Sequence, residues 1–129
     1  MIIACASDDG KSFVSRHFGD AQQYKIYEWS NNKFNYLKTI TNTSEEENGH
    51  ADPKKAKYIM EMLLKADVDV GLAKNFGPNI KRVKEKLVPV LVSTNEIEKG
   101  LAEVEKHFKE VLEATLLSEN RIYVDLRQK

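Results

Sequence analysis

The chain has 129 residues and a mass of 14.8 kDa, the size of one domain, with 41% apolar and 31% charged residues, a globular and not a disordered composition. Twenty Lys and Arg balance twenty Asp and Glu, which counts against a protein that grips duplex nucleic acid through phosphates, since that needs a basic excess. No apolar run reaches the roughly twenty residues of a membrane span, no basic residue precedes the apolar start Met1-Ile2-Ile3-Ala4-Cys5-Ala6, and one cysteine allows no internal disulfide and no cysteine-only metal centre. The expected setting is a reduced cytoplasm, with no membrane.

Ile2 to Ala6 reads as a buried strand that Ser7-Asp8-Asp9-Gly10 breaks. Tyr24 to Trp29 alternates as a second strand, and Ser30-Asn31-Asn32-Lys33 turns it into a third over Phe34 to Thr41, an antiparallel hairpin. Asn42 to Ala51, with Glu45-Glu46-Glu47 inside it, has no periodicity and reads as a loop. Asp52-Pro53 opens a helix with Ala56, Ile59, Met60, Leu63 and Leu64 on its inner stripe. A strand over Val68 to Ala73 follows. The turn Asn75-Phe76-Gly77-Pro78 then leads to a helix over Asn79 to Lys86 and a strand over Val88 to Val92.

Asn95 with Glu98 resembles a capping box. It opens one long helix whose inner face carries Ile97, Leu101, Val104, Phe108, Val111 and Leu112. Arg121 to Leu126 reads either as a last strand or as a tail, so residues 1–112 form the expected α/β domain and 113–129 a C-terminal extension. The order of elements implies an α/β layer structure with a mixed sheet opening with a hairpin and flanked by helices. The crossover rule makes the first, fourth and fifth strands parallel neighbours. Ser7-Asp8, Lys74-Asn75 and Ser93-Thr94 then share the carboxyl edge, where open α/β sheets bind ligands.

The densest polar cluster is Val14-Ser15-Arg16-His17-Phe18-Gly19-Asp20-Ala21. Its plainer reading is a fitted turn in which Ser15 and Asp20 satisfy backbone groups and His17 packs locally. The candidate soft or borderline metal donors are Cys5, His17, His50 and His107, besides methionine sulfur. Cys5 lies inside a strand and reads as an inert buried thiol. His107 reads as a rim residue of the last helix, and the basic run Lys81, Arg82, Lys84, Lys86 as a solvated face or a docking surface.

Ala6-Ser7-Asp8-Asp9-Gly10, the Ser15-Arg16-His17-Phe18-Gly19 stretch, the strand Tyr24 to Glu28, Gly49-His50, and Asp67 to Ala73 running into Phe76-Gly77-Pro78-Asn79 occur in one order. In this the chain resembles the dinitrogenase iron–molybdenum cofactor biosynthesis proteins over about residues 1 to 112. The resemblance implies a ribonuclease H-like three-layer fold with a mixed five-stranded sheet. It also implies a non-catalytic role in binding, carrying or inserting iron–sulfur clusters, some with molybdenum, received from a donor protein and passed to an acceptor. His17 and His50 become the expected metal ligands. Arg16, Lys74 and the helix start at Asn79 become the expected hold on an anionic cofactor, with Ser15 beside them. A carrier needs few and labile ligands, because it must release its cargo. Lys74-Asn75 departs from the paired glycines of many relatives, and the glycine- and histidine-rich stretch of relatives is reduced here to Gly49-His50.

Two other classes compete. A metal-dependent nuclease would need several carboxylates on the active face, whereas the first acid near the first strand is Asp8, past its end, and Asp67 and Asp69 only begin theirs. A regulatory or scaffolding module would use the tail, where an Ile122-Tyr123-Val124 edge could pair with a second chain into a homodimer.

Overall fold

The computed structural model describes residues 1–42 and 53–128. Residues 43–51 of the segment expected as a loop, with Glu45-Glu46-Glu47 and His50, and the expected helix cap Asp52 lie outside the described residues. The elements run β1 (Ile2–Ser7), β2 (Gln23–Ser30), β3 (Lys33–Thr41), α1 (Pro53–Lys65), β4 (Val70–Ala73), α2 (Ile80–Val83), β5 (Val88–Leu91), α3 (Ile97–Lys106), α4 (Phe108–Thr115) and β6 (Val124–Asp125). They build one mixed sheet in the order β3-β2-β1-β4-β5-β6. β1 lies antiparallel to β2 and parallel to β4, and β5 continues the parallel half.

The hairpin forms where alternation placed it. Ser30 pairs with Lys33, and Asn31 and Asn32 both take positive φ, 55° and 62°, as a type I′ connection requires. Asparagine tolerates that region better than other side chains do. A bulge between Ile26 and Tyr27 leaves Leu37 without an opposite partner on β2. At the end of α1 Asp67 adopts φ 61° and the Val68 N–H reaches the Leu63 carbonyl, a Schellman-type stop. Val68 therefore belongs to the cap, and the strand expected from Val68 begins at Val70.

Side chains alternate between two cores. Ile3, Cys5, Leu72, Val88 and Val90 of the sheet pack with Leu101, Val104 and Val111 of α3 and α4. Ala4, Ala6, Tyr24 and Ile26 of the sheet pack with Ile59 and Leu63 of α1, Val83 of α2 and Leu87. Leu64, expected on the inner stripe of α1, is exposed.

Four expectations are corrected. Among the described residues the sheet has six strands instead of five, because Val124 and Asp125 pair with Val90 and Leu91 in parallel. The long C-terminal helix is two helices broken at His107, whose φ −112° and ψ 32° leave the helical region; Leu112, past the break, is exposed. The helix expected over Asn79 to Lys86 is a 3₁₀ turn over Gly77–Asn79 followed by one α-helical turn. Glu96, not Asn95, precedes α3, and no side chain caps it. The Ile97 N–H is satisfied by the Lys11 carbonyl instead.

Candidate functional site at the carboxyl edge of the sheet

The segment between β1 and β2 is held from both ends. Ser7, fully buried, donates from Oγ to the Ser12 carbonyl at 2.6 Å and accepts the Gly10 N–H at 2.8 Å. Asp9 accepts the amides of Ser12 and Lys11, which hold its carboxyl below the usual carboxylate range. Asp8 accepts from Arg16 Nη2 with both oxygens, at 2.9 and 2.8 Å, and takes the Gln22 N–H at 2.9 Å. Arg16 Nη2 also reaches the Asp20 carbonyl at 3.1 Å. Arg16 is thus the brace of this segment, and its charge is offset by Asp8.

Phe18 is the plug. It stacks on Phe76 with centroids 4.8 Å apart and tilts against Tyr24 at 5.2 Å. Its N–H donates to the Asn75 carbonyl at 2.8 Å, and its carbonyl accepts the buried Tyr24 hydroxyl at 2.7 Å. Burial raises the Tyr24 phenol well above its ordinary range, so it acts as a donor throughout. This fastening sets the neighbouring His17 in place.

The imidazole of His17 is 44% exposed, with Nδ1 3.9 Å from Asp20 Oδ2, beyond hydrogen-bond length. It rests against the backbone of Gly77, where a Cβ would come within 2.5 Å of His17 Cε1 and Nδ1. Gly77 has φ +65°, and its N–H donates to Asn75 Oδ1 at 2.9 Å. The turn after β4 is thereby folded under the His17 ring. Lys74 Nζ donates to Asn95 Oδ1 at 2.6 Å, which ties the β4 and β5 ends together. The three strand ends share one edge, as the topology required, and their loops are bonded to one another.

The expected site residues therefore fall into groups. His17, with Asn79 two residues beyond Gly77, lies where the β1 and β4 loops meet; Ser15 is exposed on the same loop. Lys74 sits between the β4 and β5 loops. Asn79 makes no side-chain cap, and the single turn that follows has no extended dipole to present, so the expected helix-start contribution is lost. His50 lies outside the described residues. His107 is remote from this group in the fold, at the α3/α4 break, with Nε2 buried and unpartnered among the described residues. Cys5 is free and fully buried, and burial pushes its thiol far up. Among the described residues no three of His, Cys, Asp and Glu converge to hold a metal ion. What the edge offers a metal, among the described residues, is one accessible imidazole.

The sequence placed Asp8 and Asn75 at this edge, Gly77 in a turn and Asn95 at a helix start, but named none of the four as a residue that builds the site. The Asn75-Phe76-Gly77 spacing, with an Asn side chain two residues before a glycine, was a legible turn signal; the pairing of Asp8 with Arg16 had none.

Residues 1–108 match the family model described as dinitrogenase iron–molybdenum cofactor. The chain belongs to that family. Its fold is similar to the NMR structure of a protein from Methanococcus jannaschii described as a candidate dinitrogenase, MJ0327, with TM-score 0.59 and 18% identity over 84% of this chain and 89% of that one. The crystal structure of PH0822 is similar at TM-score 0.56 and 15% identity, with the same coverage. No curated protein matches the chain. Family membership links the protein to processes involving the iron–molybdenum cofactor. No described helix is long and apolar enough to cross a membrane.

Proposed function

We propose that this protein is a non-catalytic carrier that binds an iron–sulfur or iron–molybdenum-type cluster as cargo and passes it from a donor to an acceptor protein in the cytoplasm. The observation that carries this reading is His17: a half-exposed imidazole without a close partner, cradled on Gly77 at the sheet's carboxyl edge. A single borderline ligand suits cargo that must leave again, and His50 is the proposed second. Lys74 would contribute charge next to that edge. Arg16 supports the site by bracing its loop, and Ser15 and Asn79 flank it. The ribonuclease H-like description belongs to the same reading, supported by the order β3-β2-β1-β4-β5, as does a domain of residues 1–112 with an added tail. The nuclease alternative is disfavoured, because Asp8 is taken by Arg16 and Asp69 accepts the Ile2 N–H at 2.8 Å.

Anaerobic reconstitution with iron, sulfide and molybdate, followed by desalting, absorbance and metal analysis, tests the carrier. Retained iron and sulfide at a fixed ratio are expected in the native protein and lost in His17→Ala. Retention unchanged in His17→Ala would remove the site, and a colourless native protein beside a loaded control would remove the function.

A further inference from the structure

The surface that α2 shares with the chain after α4 lies outside the residues assigned to the carrier site above. Arg121 donates from Nε to the Lys84 carbonyl at 2.8 Å and from Nη1 to the Leu117 carbonyl at 3.0 Å. This guanidinium pins the segment between α4 and β6 against α2. Val124 and Leu126 are buried, while Ile122 and Tyr123 just before them turn outward, 47% and 48% exposed. Leu116 is 75% exposed and Leu117 lies beside it. Single exposed apolar residues are ordinary, but these lie within eight residues of chain that Arg121 holds together.

Their border is basic. Residues 80–87 hold Lys81, Arg82, Lys84 and Lys86 against Glu85, and residues 116–123 hold Arg121 against Glu119, so cations outnumber acids five to two on this surface. No ion pair among the described residues involves these four or Arg121. An apolar centre with Tyr and Leu, edged by unpaired cations, has the anatomy of a protein–protein contact.

We infer that residues 116–123 together with α2 form a docking surface for an acidic amphipathic segment of a partner protein. Apolar side chains of that segment would cover Leu116 and Tyr123, and its carboxylates would meet the cations of α2. A second copy fits poorly, because a twofold contact would set this basic border against itself. Nucleic acid fits poorly too, since the apolar centre would face phosphates. α2 starts three residues after Gly77, so a docked partner would lie beside the His17 loop; that consequence alone rests on the carrier reading.

The test uses the full, metal-free chain and a synthetic helical peptide of about 18 residues, leucine on one face and glutamate flanking it, with a lysine-for-glutamate counterpart as control. The glutamate peptide is expected to shift backbone amide NMR signals most at 80–86 and 116–123 and less at 14–20. Binding is expected to weaken about ten-fold in Arg82→Glu and in Leu116→Asp, and to weaken at about 0.5 M salt. Equal binding of the lysine peptide, shifts confined elsewhere, or unchanged affinity in both variants would overturn the proposal. So would a dimer in sedimentation that Leu116→Asp disperses, which would assign the surface to a second copy. Because the probe carries no metal, docking by a protein that stays colourless after reconstitution would defeat only the carrier reading, and cluster retention without docking would defeat only this one.

Discussion

His17 owes its position to neighbours that do not resemble ligands. Phe18 is buried between Phe76 and Tyr24, Asp8 and Arg16 fasten the loop, and Gly77 leaves space that any side chain would fill. Gly77→Ala meets two obstacles at once: φ +65° strains an L-residue by about 1–2 kcal/mol, and the new Cβ would collide with the imidazole. We expect Gly77→Ala to lower stability by about 1–3 kcal/mol, to displace the His17 ring proton signals and to weaken cluster retention. Unmoved His17 signals with native stability would show that the ring does not depend on this cradle. At this scale the residue types were legible but their partnerships were not. Arg16 and His17 stand out as adjacent nitrogen-bearing side chains in a small-residue loop, yet nothing in their spacing shows Arg16 spent on Asp8 eight positions earlier. Hydrogen bonds across an irregular loop follow no period, so a one-dimensional pattern cannot carry them.

At the scale of elements, hydrophobic period located the strands and helices, and the errors gather at their ends. The apolar stripe from Ile97 to Leu112 reads as one helix because its spacing continues through His107. The backbone breaks there because α3 and α4 each must lay an apolar face on a twisted sheet, α4 reaching β5 and β6. Gly100 illustrates a local preference overruled by packing. In an exposed helix Gly→Ala stabilises by about 1 kcal/mol, but a Cβ at Gly100 would stand 2.5 Å from the Phe13 ring, which is buried and tethered through its N–H to the Asn95 carbonyl. We therefore expect Gly100→Ala to cost about 1–3 kcal/mol, read as a lower urea midpoint at unchanged m-value. Adding Phe13→Leu should recover part of that loss, since the two sites share one space. A Gly100→Ala protein more stable than the native one would show that the ring gives way freely.

The whole molecule is an α/β/α sandwich that keeps two acids neutral in its interior. Burial raises both the Cys5 thiol and the Tyr24 phenol. A native pKa above the unfolded one means that the native state holds more protons, so this stabilisation is complete below the unfolded pKa and declines as pH rises past it. Unfolding free energy should therefore fall above pH of about 8.5, where the unfolded thiol ionises, and more steeply above about 10, with each group adding up to about 1.4 kcal/mol per pH unit. Urea titrations between pH 7.5 and 10.5 would measure it, and Cys5→Ala should remove the thiol's share of the slope. An identical slope in Cys5→Ala would mean that the native thiol ionises too.

At this scale the sequence by itself determined the layers, the parallel centre of the sheet and the convergence of three strand ends, because burial imposes periods of two and 3.6 and crossovers have one hand. It also determined the family, through the stretch from Ser15 to Gly19. Only the tertiary structure decided that Val124 and Asp125 join the sheet, that Arg121 fixes an apolar segment against α2, and that Arg16 serves Asp8 while His17 stays accessible. Those outcomes depend on which groups far apart in the chain satisfy one another's hydrogen bonds and charge, and such pairing exists only once the chain has closed on itself.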